Sequence, residues 1–125
     1  MNHIYVRAWR SDHYIGLAEL LTTLGRITAE ASWELQLDEV APGPAGSEIE
    51  ALTQRERVHT RELILAAFPD GQIIDGELRG YTDDTATEPY IIVRAVDSTD
   101  WDIECEDPKV YEALKIALPE SSDAI

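Results

Sequence analysis

Cysteine is nearly absent from this sequence, with Cys105 the only one. An intramolecular disulfide is therefore excluded, and no paired-cysteine zinc spacing exists. Long apolar runs are also missing. No stretch approaches the roughly 18 apolar residues that span a bilayer, and the opening MNHIYVRAWRSDHY lacks the apolar core of a signal peptide. A reduced, cytoplasmic setting with no membrane contact is the simplest expectation. Positive charge is scarce: ten Lys and Arg face 25 Asp and Glu, for a formal net charge of −15. Residues 1–62 carry 10 acids and 6 bases, whereas residues 63–125 carry 15 acids and 4 bases. Such a field repels phosphates, whose binding needs Lys and Arg to displace counterions. It attracts basic proteins and speeds encounter with them. Direct nucleic-acid binding is thus not expected.

What is present suits a single folded domain. A chain of 125 residues, 44% hydrophobic and 28% charged, can bury about two-thirds of its surface without staples. The expected domain covers residues 1–118, with 119–125 as a frayed tail.

Hydrophobic spacing sets out the elements. His3 to Arg10 alternates, with Ile4, Val6 and Ala8 against Tyr5, Arg7 and Trp9, and reads as a strand. Ser11 or Asp12 then offers an N-cap for a helix bearing Tyr14, Leu17, Leu21 and Leu24, stopped at Gly25. Ala31 to Val40 alternates again, with Trp33, Leu35 and Leu37 on one face. APGPAGS, residues 41–47, predicts a loop, and Ser47 with Glu50 suggests a capping box for helix from about residue 48. Residues 53–68 suit a helix opened by Thr53 and Glu56 and closed by Pro69, with a hairpin around Pro69-Asp70-Gly71 as the alternative. Gln72 to Tyr81, Pro89 to Val96 and Thr99 to Glu106 read as strands, the last two joined by Asp97-Ser98-Thr99. Asp107 and Pro108 open a final helix burying Val110, Tyr111, Leu114, Ala117 and Leu118 and ending at Pro119. The expected fold is α+β. A mostly antiparallel sheet of about five strands carries two to three helices on one face, in the order β-α-β-α-β-β-β-α.

Residues 96–107, VDSTDWDIECED, concentrate six carboxylates with no Lys or Arg among them. As a strand, this stretch turns Trp101, Ile103 and Cys105 inward and Asp100, Asp102, Glu104 and Glu106 outward. Same-face neighbours sit about 6.5–7 Å apart along a strand, so four in a row do not wrap a cation. A calcium loop also needs a glycine at its bend, and this stretch has none. A uniform exposed row does not separate two carboxyl pKa values for acid–base work. Arg79 and Arg94 on neighbouring strands, with Lys109 and Lys115 on the final helix, answer only part of the charge. No metal and no cofactor is expected. His3, His13 and His59 lack ligand spacing, and Cys105 reads as a small buried hydrophobe.

Two short segments resemble known motifs. LTQRER, residues 52–57, is similar to the opening of the helix-turn-helix in LuxR-type regulators, although no recognition helix follows. DGQIIDGELRGY, residues 70–81, resembles a hairpin of Sm-like or SH3-like barrels. The whole chain resembles in general type the bacterial immunity proteins that block nuclease toxins, and nucleic-acid-mimicking inhibitors such as anti-CRISPR proteins. That likeness implies a non-enzymatic inhibitor of a basic partner, such as a nuclease toxin or nucleic-acid-binding protein. The expected docking face is Asp97, Asp100, Asp102, Glu104 and Glu106. Asp83 and Asp84 extend it, and Tyr81 and Tyr90 act as anchors. Two rivals stand beside it. One is a ligand-binding domain or small enzyme with a pocket lined by Trp9, Trp33 and His13. The other is an accessory or oligomer-forming domain whose acidity serves only solvation.

Overall fold

A computed structural model describes residues 2–9, 13–68, 71–97, 99–117 and 122–123. The elements are β1 (Asn2–Arg7), α1 (Leu17–Leu24), a 3-10 turn (Gly25–Ile27), β2 (Ser32–Val40), α2 (Pro44–Leu52), β3 (Val58–His59), α3 (Thr60–Ala67), β4 (Ile73–Tyr81), β5 (Ile91–Val96), β6 (Asp100–Cys105), α4 (Pro108–Ala117) and β7 (Ser122–Asp123). The fold is α+β. One antiparallel sheet runs in the order β3-β2-β4-β5-β6-β1-β7. The two strands beyond the expected five are two-residue edges, too short to leave a periodic trace. β7 lies within the segment 119–125 and pairs Ser122 and Asp123 with Tyr5 and Ile4.

Register decides which residues share a face. Ile4 lies opposite Ile103, Ile103 opposite Val93, Val93 opposite Leu78, and Leu78 opposite Leu35. This apolar row joins Val6, Trp101 and Trp33 in one core with Leu17, Leu20, Leu21 and Leu24 of α1. Ile49, Leu63, Val110 and Leu114 bring α2, α3 and α4 onto the same core. Each such side chain contributes about 1.5–3 kcal/mol of burial. The core's polar groups are largely answered. Trp33 Nε1 donates to Thr60 Oγ1 at 2.7 Å, Thr60 Oγ1 donates to the Thr28 carbonyl, and Trp101 Nε1 donates to the Ile15 carbonyl at 2.8 Å.

Several boundaries depart from the sequence reading. α1 starts at Leu17 after Gly16, and Tyr14 instead bridges Trp9. Ser11 and Asp12, proposed as its cap, lie outside the described residues. Gly25 does end α1, with φ 54°. The loop expected at 41–47 is already helical from Pro44, because proline at the first helical position costs no hydrogen bond. Gly43, with φ 138°, makes the entry in a backbone conformation that residues with a side chain rarely adopt.

Only the second half of the segment 53–68, expected as one helix, is helical. Thr53 closes α2, its hydroxyl donating to the Glu50 carbonyl rather than opening a new helix. Turn residues then lead to β3, and α3 begins only at Thr60. Phe68 ends α3 in an extended conformation, as the following proline demands. Asp107 caps α4 as expected, accepting from the Lys109 N–H at 2.9 Å. Pro69, Asp70, Ser98, Leu118 and Pro119 lie outside the described residues. No described helix is long and apolar enough to cross a membrane.

Candidate binding face of the sheet

The helices occupy one side of the sheet, and the opposite side carries its polar residues. Two rows cross it in register. The first runs Tyr5, Asp102, Arg94, Glu77, Gln36; the second runs His3, Glu104, Ile92, Arg79, Glu34. Adjacent strands are about 4.8 Å apart, so neighbours along a row touch.

Arg94 sits at the centre of this lattice. Its Nε donates to Glu77 Oε1 at 2.8 Å, Nη2 to Glu104 Oε2 at 3.4 Å, and Nη1 lies 3.7 Å from Asp102 Oδ2. Arg79 Nε holds the other Glu77 oxygen at 2.7 Å. His3 Nε2 contacts Asp102 and lies 3.7 Å from Glu104. Burial alone would raise the Glu77 carboxyl, but the hydrogen bonds from Arg79 and Arg94 outweigh it and hold the carboxyl below its usual range. Burial likewise works against the Arg94 charge, and its bonds to Glu77 and Glu104 prevail.

Asp100, Asp102 and Glu104 therefore form an outward row, as the alternation of β6 required, but it is not uniformly bare. Asp102 and Glu104 are half-buried and paired. Asp100 accepts from the Thr99 hydroxyl at 3.2 Å. Glu106 lies beyond the end of β6 and is exposed. Asp97 occupies the β5–β6 turn with φ 50°, a conformation aspartate tolerates, and its N–H donates to Asp75 Oδ1 at 3.1 Å.

The β4–β5 loop uses the other acids structurally. Asp83 accepts from the Thr85 hydroxyl and from the N–H groups of Thr85 and Ala86, bonds that lower its pKa. Asp84 accepts from Ser32 Oγ at 2.6 Å. Tyr81 is buried, with the Arg57 guanidinium 3.6 Å over its ring. Arg57 also donates to the Asp83 and Ala86 carbonyls, which clamps the loop onto the sheet. Tyr90 spends its hydroxyl on the Ile27 carbonyl at 2.8 Å, and burial pushes its pKa up to about 12. Lys115 Nζ lies 4.5 Å over the Tyr111 ring.

At one end of this face is a depression of about 460 Å³ lined by Asp38, Asp75, Glu77 and Arg94, with Gly76 and Val96 among its walls. Register shifts in β2 between Leu37 and Glu39 place Asp38 in irregular strand beside Asp75. Asp38 and Asp75 have no ion-pair partner among the described residues. These two acids were missed from sequence, as was the exposed outer-face ring of Tyr5. The alternation of β1 and β4 marked the parity of Tyr5 and Asp75. Only the register brings Glu77 beside Arg94, and the bulge that moves Asp38 has no sequence mark.

Trp9, Trp33 and His13 do not line this depression. Trp33 is fully buried, Trp9 is half exposed against Tyr14, and His13 bonds Glu19 at 3.0 Å. No cluster of three or more metal-ligating side chains occurs among the described residues. Cys105 is buried, and that burial raises its thiol pKa. No protein-family model matches the chain, and neither a curated protein nor a solved structure matches it significantly.

Proposed function

We propose that this chain is a non-enzymatic acidic binding protein that docks the helix-free face of its sheet on a basic partner protein, in the manner of an immunity protein or nucleic-acid-mimicking inhibitor. The observation that carries the reading is the acidic depression. Asp38 and Asp75, which have no ion-pair partner among the described residues, flank a concavity of about 460 Å³. That is room for a lysine or arginine side chain with part of its backbone. Beside it, Arg94 holds Glu77, Asp102 and Glu104 in place, which lowers the ordering cost of binding. Asp97, Asp100, Asp102, Glu104 and Glu106 then supply field more than direct contact, speeding encounter with a positively charged target.

Charge reversal tests this reading. The pair Asp38→Lys and Asp75→Lys is expected to lower affinity for a basic partner by at least about a hundredfold, mostly through faster dissociation. Reversal of Asp83 and Asp84, whose acceptors serve the loop, should change affinity little once folding is verified. Equal affinity in wild type and the Asp38/Asp75 variant would leave the acidity with a solvating role only.

A further inference from the structure

The helical layer carries a second surface of opposite character. α1 and α3 pack side by side, and a groove of about 460 Å³ opens between them toward solvent. Leu21, Ile64 and Leu65 give it apolar walls. It continues past Thr22 into a smaller depression lined by Ala18, Glu19, Thr23 and Phe68, where Glu19 bonds His13 at 3.0 Å. Leu65 and Phe68 are 67% and 68% exposed, so two large apolar side chains flank a groove that no described element covers. Scattered exposed apolar residues are unremarkable, but two beside an apolar groove mark an interaction surface.

The charge at this groove says what kind of partner fits. Arg26 and Arg61 stand together at one end of it, both exposed. Acids outnumber bases 25 to 10 in this chain, yet neither arginine has an ion-pair or hydrogen-bond partner among the described residues. By contrast Arg55, Arg79 and Arg94 each hold a glutamate. The groove follows α3, which is 8 residues long, or about 12 Å and two helical turns.

We infer that this groove docks an amphipathic helix of a partner protein. Apolar side chains at i, i+3 or i+4, and i+7 fill the groove, and carboxylates at one end of that helix meet Arg26 and Arg61. The surface lies on the opposite layer from the acidic depression and does not depend on it.

The test uses the full chain and three labelled helical probe peptides of about fourteen residues. The first carries leucines at that spacing with glutamates beside them. The second has lysine in place of every glutamate, and the third has glutamine in place of every leucine. Anisotropy is expected to show the acidic probe binding at least about tenfold tighter than the lysine probe, against the net charge of the chain. The glutamine probe should not bind. Arg26→Glu with Arg61→Glu should reverse the order of the first two. Leu65→Ser with Phe68→Ser should abolish binding, and because both side chains are exposed the variant should fold normally. Asp38→Lys with Asp75→Lys should leave the acidic probe's affinity unchanged, separating this surface from the sheet face. Three results would overturn the inference: tighter or equal binding of the lysine probe, no binding of the acidic probe up to about 1 mM, or sedimentation as a dimer that Leu65→Ser and Phe68→Ser dissolve. The last would assign the groove to a second copy of the chain.

Discussion

Replacing Arg94 with methionine removes the charge at the centre of the outer lattice and keeps most of the side-chain stem. Glu77, Asp102 and Glu104, all within 3.7 Å of the guanidinium, would then lose their shared counter-charge. A half-exposed ion pair is worth about 0.2–1 kcal/mol. Three pairs, plus the repulsion left among their carboxylates, give a loss of about 1–3 kcal/mol. For a chain of 125 residues, the unfolding entropy is about 0.26 kcal/mol/K near the midpoint, so a loss of about 2 kcal/mol lowers Tm by about 8 °C. Urea unfolding followed by circular dichroism measures it directly. The pH dependence identifies the cause. Glu77 has a folded-state pKa below its unfolded value, so its contribution is present above about pH 4.3 and is lost as pH falls through the folded value. The gap between wild type and Arg94→Met should therefore close in acid. It should also shrink at about 1 M salt, where the Debye length is about 3 Å. A gap below about 0.5 kcal/mol at neutral pH refutes the lattice as a stabilising unit. A gap that persists unchanged in acid would assign the loss to packing of the stem.

Thr60→Val keeps shape but leaves the buried Trp33 N–H and Thr28 carbonyl without their shared hydroxyl. It should cost about 2–3 kcal/mol in urea unfolding. Gly80→Ala should cost about 1–3 kcal/mol by the same assay, because the new Cβ would meet Ile91 Cγ2 at 2.6 Å and the Trp33 ring at 3.0 Å. At high pH, burial holds Tyr14 and Tyr90 near 12. Their pKa values lie above the unfolded value, so stability is complete below about pH 10 and declines as pH rises from there to 12. Tyrosinate absorbance should show two tyrosines titrating late, together with unfolding.

The sequence made the inner face of the sheet legible because period-2 alternation is a local property. Ile4 and Val6, Trp33 and Leu35, and Trp101 and Ile103 all turn inward as their spacing requires. It misled where one residue serves two grammars. Pro44 looked like a breaker and is a helix starter. Thr53 looked like an N-cap and closes α2 instead. The outward direction of Asp100, Asp102 and Glu104 was legible in the same way. Their partners were only half legible, since Arg94 was placed on a neighbouring strand but the register that sets it between Glu77 and Asp102 is a long-range property. The depression at Asp38 and Asp75 depends on a bulge and on strands distant in sequence, and no local pattern announces it.

The central claim is that basic groups dock at the acidic end of the helix-free face rather than anywhere on an acidic surface. A backbone amide NMR titration with an arginine-rich peptide of about ten residues tests it most directly. The account predicts saturable shifts concentrated at Asp38, Asp75, Gly76, Glu77 and Val96, lost in the variant carrying Asp38→Lys and Asp75→Lys. Small, non-saturating shifts spread evenly over Glu48, Glu50, Glu88, Glu112 and the sheet face would contradict it.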